Sequence, residues 1–154
     1  IKRPSATKTT NLLDFLSCSK FYPIEPSDST LVTLRMLLCK FSQKYTTATM
    51  QVQSNGKKCY YVMLQGKGSN YCLNKKSFHN SARAFMAIYM HGGINDFRAI
   101  MKCSCKCPVQ RSGGDRCRDW HSSNRYSIDK QALADLESAW QARVEKRKKE
   151  REGF

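Results

Sequence analysis

The sequence predicts an α+β fold: a small antiparallel sheet of about four strands, a flanking helix, and a basic helix at the C-terminus. Two observations carry that reading. The hydrophobic period switches from helical spacing over residues 30–45 to strand-like runs from Thr47 onward. Two turn signals, Ser54-Asn55-Gly56-Lys57 and His91-Gly92-Gly93, each stand between apolar runs able to pair antiparallel.

Taken in order, residues 1–20 are polar with one short apolar patch (Leu12, Leu13, Phe15, Leu16), which suits a flexible lead-in. Tyr22 to Thr30 is a turn segment ending in capping residues. Leu31, Leu34, Leu38, Phe41 and Tyr45 then share one helical face, predicting an amphipathic helix over 30–45 with Cys39 packed in it. Thr47–Gln53 and Lys58–Leu64 read as a hairpin whose Asn-Gly turn calls for positive φ at both central positions. Cys59 on its second strand has no ligand-like neighbour and is expected in the packing. Gly66-Lys67-Gly68 turns the chain toward Asn70-Tyr71-Cys72. Arg83–Met90 and Asp96–Cys103 form the next strand pair. A glycine loop at 112–114 leads to a helix opened by Ile128-Asp129, with Leu133, Leu136 and Trp140 as its apolar stripe. That helix runs on into Lys146-Arg147-Lys148-Lys149-Glu150-Arg151, which has no apolar face. The expected organisation is therefore a lead-in (1–20), an α+β domain (21–127) and a basic helix (128–154).

Charge narrows the partners. The 154 residues carry 27 Lys and Arg against 12 Asp and Glu, a net +15. Such an excess attracts polyanions, because each neutralised phosphate releases condensed counterions. Within residues 72–118, nine cations face two aspartates, and this richest stretch is also where cysteine and histidine cluster. No apolar run approaches the roughly 20 residues of a membrane-spanning helix, so no membrane partner is expected. The opening Ile1-Lys2-Arg3-Pro4 has neither Met nor a signal-like apolar core, which suggests an excised piece of an intracellular protein. In that setting the eight cysteines read as metal ligands and core thiols rather than a disulfide framework.

The informative constellation is Cys72-x6-His79, then a hairpin, then Cys103-x-Cys105-x-Cys107, and finally Cys117. A loop bearing Cys and His, followed by a hairpin that returns two more Cys, brings two ligand pairs to one end of that hairpin. Four thiolate and imidazole donors are what Zn2+ takes in a tetrahedron. The spacing alone leaves the closing ligands open among Cys103, Cys105, Cys107 and Cys117. It also leaves open a separate Cys103/Cys105/Cys117/His121 set. His91, at a glycine turn, is expected to be exposed.

The segment Tyr71-Cys72-Leu73-Asn74-Lys75-Lys76-Ser77-Phe78-His79-Asn80-Ser81 resembles the Cys-x6-His-x-Ser element in the zinc-binding tail of PrimPol and herpesvirus-type primases. In that family a strand hairpin, a Lys-Cys and an Asp-x-x-Cys-Arg-like element follow. Lys102-Cys103 is similar to the first, and Asp115-Arg116-Cys117-Arg118 approximates the second across an inserted loop. The resemblance covers residues 20–120. It implies Cys72, His79, Cys103 and Cys117 as metal ligands, with Cys107 the alternative to Cys117 because the last spacing departs from the family. It further implies Lys75, Lys76, Arg83, Arg116 and Arg118 as cations for phosphate, and a module that helps hold template and initiating nucleotide.

The catalytic half of such an enzyme needs paired acids on a strand. Asp135-Leu136-Glu137 spells the pair within a helical stretch, where i and i+2 diverge, so the chain is not expected to polymerise alone. The resulting expectation is a zinc-stabilised binding module of a DNA primase or primase–polymerase working in the nucleus or at a replication site. Its partners would be single-stranded DNA or primer–template, a nucleoside triphosphate and the parent's catalytic core. The competing reading is a free-standing zinc DNA-binding domain of a transposase or viral regulator. A cysteine-dependent enzyme is the third, with no Cys set beside a local His as a nucleophile.

Overall fold

The computed structural model describes residues 20–91, 96–105 and 117–152. The expected lead-in over 1–20, apart from Lys20, lies outside the described residues, as do Cys107, Arg116, the glycines of the His91 turn and the loop at 112–114. The elements run β1 (Tyr22–Pro23), α1 (Asp28–Phe41), a 3-10 turn (Gln43–Tyr45), β2 (Thr49–Ser54), β3 (Cys59–Gln65), β4 (Tyr71–Cys72) and β5 (Ser77–Phe78). They continue with β6 (Ala84–Met90), β7 (Phe97–Cys103), a second 3-10 turn (Cys117–Asp119), β8 (Tyr126–Ser127) and α2 (Lys130–Glu152).

The main sheet has six antiparallel strands in the order β1-β2-β3-β6-β7-β8, and β4 pairs with β5 as a separate two-stranded hairpin. The expected four strands are the centre of this sheet. The two extra ones, β1 and β8, are edge strands of two residues each, too short to show an alternating pattern.

Helix α1 begins where Ser27, in extended backbone, accepts the Thr30 N–H on its hydroxyl. It ends before the expected residue 45 because Ser42 is extended and its hydroxyl accepts the Lys44 N–H at 3.1 Å, starting the 3-10 turn. Tyr45 still reaches the core and is fully buried. The β2–β3 turn also departs from expectation. Ser54 pairs with Tyr60, and positive φ falls on Gly56 and Lys58 rather than on Asn55. Asn55 instead accepts the Lys57 N–H on its side chain at 2.9 Å, and the Trp140 ring of α2 lies against Gly56.

Alternation divides the sheet into two faces. Val52, Val62, Met86 and Met101 form one cross-strand row, with Tyr60, Ile88 and Ala99 in the next. This face packs on Leu34, Leu37 and Leu38 of α1 and on Ala132, Leu136 and Ala139 of α2, one continuous core. Asp135 and Glu137 flank Leu136 on that helix. Asp135 accepts the Ser27 N–H at 2.8 Å, and Glu137 pairs with exposed Lys58 at 3.6 Å. The opposite face carries Cys59, Ala87 and Ile100, all buried, and Tyr61 stacked on Phe21 with ring centroids 4.3 Å apart.

The topology brings strand ends together at one margin of the sheet. Ala84, opening β6, pairs with Cys103, closing β7, and the Ala84 N–H donates to Ser69 O at 2.7 Å. The loop ahead of β4 is thereby tied to the end of β7. Among the described residues no helix is long and apolar enough to cross a membrane.

Candidate metal centre

Four donors meet at this margin. The ligand atoms of Cys72, His79, Cys103 and Cys117 all lie within 4.8 Å of one another, and the group could hold a metal ion. Cys72, Cys103 and Cys117 are buried together as a small cluster of their own. The Cys72 and Cys117 sulfurs are 3.6 Å apart, and Cys117 Sγ is 3.6 Å from His79 Nε2.

Each donor has a local reason for its place. Cys72 ends β4, and residues 73–76 form the turn that returns as β5, a knuckle closed by the Cys72–Ser77 pair. Within it the Lys75 N–H donates to Cys72 Sγ at 3.4 Å. His79 is held on both sides by Asn70, whose carbonyl accepts the His79 N–H at 2.9 Å while its amide donates to His79 O at 2.6 Å. Cys103 accepts the Cys105 N–H at 3.5 Å, a tight reversal steadied by Ser104, whose hydroxyl donates to Arg83 O. Cys117 reaches the site because the chain after it zips back along β7. Ser122 N–H donates to Met101 O, Met101 N–H donates to Ser122 Oγ, and buried Lys102 donates to Trp120 O. Asn74 completes the set by donating its amide to Cys117 Sγ at 3.5 Å.

All three sulfurs thus accept a hydrogen bond from a neutral N–H, the arrangement that steadies thiolates around a cation. Without a cation their acidities diverge. The Cys72 thiol is held far below its usual range, chiefly by its hydrogen bond with Cys103, with the Lys75 N–H also contributing. Cys103 is pushed up by that same hydrogen bond and then by burial, and Cys117 is raised first by burial. Three thiols crowded this closely cannot all ionise unless positive charge joins them. A divalent cation would supply it.

The other cysteines and histidines take different places. Cys105 is half-buried beside the cluster and contributes its N–H. Exposed His121 bridges Lys102 across the strand edge, its Nδ1 3.0 Å from Ser122 O, so the alternative set built on His121 does not form. Cys59 is buried in the sheet and its thiol is pushed up to about 12 by burial. Cys39 lies on α1 with its sulfur 3.7 Å from Thr46 Oγ1. His91 is exposed beside Arg125. All six described cysteines are free of disulfides.

Of the cations expected to meet phosphate, Lys75 and Lys76 occupy the knuckle turn, with Lys76 exposed at a left-handed φ of 54°. Arg83 is exposed at the start of β6, opposite Ser104. Arg118 falls in the second 3-10 turn next to Cys117, and Arg116 lies outside the described residues. Sequence reasoning missed Asn70 and Asn74, which position His79 and Cys117. It also missed Tyr45, whose buried hydroxyl donates to Tyr71 O at 2.7 Å and braces the start of the knuckle. The only available signal was an asparagine two residues to either side of Cys72.

No family model, curated protein or solved structure matches the chain. Its functional reading therefore rests on the site itself.

Proposed function

We propose that the chain is a zinc-stabilised nucleic-acid-binding module. Following the resemblance of its Cys-x6-His element, it serves a DNA primase or primase–polymerase at the site of replication, helping to hold template and initiating nucleotide. The observation that carries the metal half is the closure of the four spaced donors into one cluster. Zinc is favoured by donor chemistry, since three soft thiolates and an imidazole select it over hard cations. Distance agrees as well. Bonds of about 2.3 Å to sulfur and about 2.0 Å to nitrogen at the tetrahedral angle set ligands roughly 3.5–3.8 Å apart; Cys72–Cys117 and Cys117–His79 stand at 3.6 Å, and all the donors lie within 4.8 Å of one another.

The nucleic-acid half is supported by charge around that cluster. Between Asp28 and Asp96 the sequence contains no acidic residue, while nine Lys and Arg fall there. In this reading Lys75, Lys76, Arg83, Arg116 and Arg118 take phosphate of single-stranded DNA, of a primer–template or of a triphosphate, beside the catalytic core of the parent protein. The exposed cations at the end of α2, Lys146 to Arg151, favour a second reading, a free-standing DNA binder gripping backbone charge alone.

One experiment addresses both halves. Metal content by mass spectrometry should give one zinc per chain, falling sharply in Cys72→Ser and His79→Ala. Single-strand affinity should fall steeply with added salt. Lys75→Glu combined with Lys76→Glu should weaken binding to a triphosphate-ended strand more than to a plain one, and in the parent protein suppress primer synthesis while sparing extension. A greater loss on truncation after Arg143 would favour the free-standing binder, and a fully folded, metal-free protein would overturn the zinc reading.

A further inference from the structure

We propose that Phe78, on the β5 strand of the knuckle, is a stacking platform for one unpaired nucleobase. This rests on the nucleic-acid reading above and gives it a specific contact. The β5 strand is only two residues long, and Phe78 is 54% exposed on it, one residue before the ligand His79. Among the described residues, every other large apolar side chain left exposed lies on α1, on α2 or at the far end of β6, so there Phe78 stands apart from any exposed apolar patch. An isolated ring does not suit a hydrophobic protein interface, which gathers several such groups.

The ring is held rather than loose. Tyr71 meets it edge-on, with centroids 5.1 Å apart. Tyr71 in turn meets fully buried Tyr45 edge-on at 6.2 Å. This chain of rings runs from the core to the surface and ends at Phe78. Lys44 Nζ lies 5.6 Å from the centroids of both Tyr71 and Phe78, and the metal ligand next in sequence fixes the backbone.

The surroundings match a base carried on a phosphate chain. Lys44, Lys67 and Lys76 are exposed and Lys75 is half-buried. Among the described residues no carboxylate pairs with any of the four. A half-exposed aromatic ring with Lys44 beside it, in a stretch of sequence without acids, is complementary to a stacked base carrying phosphates. A duplex offers no such free base face, so the occupant is single-stranded.

The test is fluorescence anisotropy with the full chain and two labelled single strands of equal length, one carrying bases and one wholly abasic. Phe78→Ala should weaken binding to the base-bearing strand by on the order of 10-fold, within the range for loss of one base–aromatic stack. Phe78→Trp should restore it, and the abasic strand should bind wild type and Phe78→Ala alike. Metal content should be equal in all three proteins, since the side chain is outside the ligand set. Equal affinity of wild type and Phe78→Ala for the base-bearing strand overturns the stacking site alone. Failure of wild type to bind either strand at low ionic strength overturns the nucleic-acid reading with it.

Discussion

Gly68→Ala tests how the knuckle is joined to the core. Gly68 sits at φ +87°, and a Cβ built there would lie 2.0 Å from the carbonyl oxygen of Lys44. The left-handed backbone costs an alanine about 1–2 kcal/mol. The collision adds to that, because the obstacle is backbone and has no flexible end to swing away. Relieving it means moving the Gln43–Tyr45 turn off the loop at 66–70 by more than an ångström, which strains the Tyr45 hydroxyl bond to Tyr71 O and the packing of a fully buried ring. A lost hydrogen bond adds roughly 1 kcal/mol, so the sum is on the order of 3 kcal/mol. For a chain of this size that corresponds to a Tm lowered by roughly 6–12 °C. Gly66→Ala is the control. Its φ is +80°, but the nearest atom to a new Cβ is Thr49 Oγ1 at 3.7 Å, so only the backbone cost of about 1–2 kcal/mol applies. Both variants should be compared by thermal melting and urea unfolding with metal bound. Equal destabilisation of the two would refute the claim that close approach at Gly68 anchors the knuckle.

Asn74→Ala removes the amide that donates to Cys117 Sγ. It should weaken metal binding about 10- to 100-fold while leaving the sheet intact, as read by competition with a chromophoric chelator beside far-ultraviolet circular dichroism. Asp135 gives a pH signature. Burial would raise its pKa, but hydrogen bonds from Ser27 and Thr30 outweigh it and hold the carboxyl below its usual value. A depressed carboxylate contributes stability above its unfolded value of about 3.9, lost as pH falls through the folded value. Asp135→Asn should therefore be less stable than wild type near neutrality, by at most about 1 kcal/mol for so exposed a group, with the gap closing below pH 4. A gap unchanged at acid pH would show that the bond to Ser27 does not depend on ionisation.

The sequence disclosed the ligands better than their support. That the Cys72/His79 pair would meet Cys103 was legible because the β6–β7 hairpin between them returns its ends together, whereas spacing left Cys105, Cys107 and Cys117 open and only the resemblance singled out Cys117. The central strands were legible for the same reason, since Val62, Met86 and Met101 alternate with residues of the other face. The edge strands β1 and β8 were not, because two residues carry no period. Nor was the helix end at Ser42, where a serine hydroxyl competes for the backbone within a stripe that stays apolar as far as Tyr45. Asn70 and Asn74 act through contacts at ranges of 9 and 43 residues, which single-residue patterns do not encode. The Asn-Gly turn was found in the right place with the wrong backbone, because Trp140 approaches it from a helix more than eighty residues away.

The four ligands differ greatly in how far apart the chain holds them, and that orders events during assembly. Cys72 and His79 belong to one short hairpin, so an ion captured early would be gripped by two donors after closing a loop of only a few residues. Cys103 arrives only when β6 and β7 have zipped as far as the Ala84–Cys103 pair. Cys117 follows once Ser122 has joined the edge of β7. Longer closures are entropically dearer and slower, so coordination number rises in step with the sheet. An ion that leaves the half-built site does so before the last thiolates lock it in. In a metal-bound chain, retention would then be a clock for the final strand pairings, not a trigger for the first.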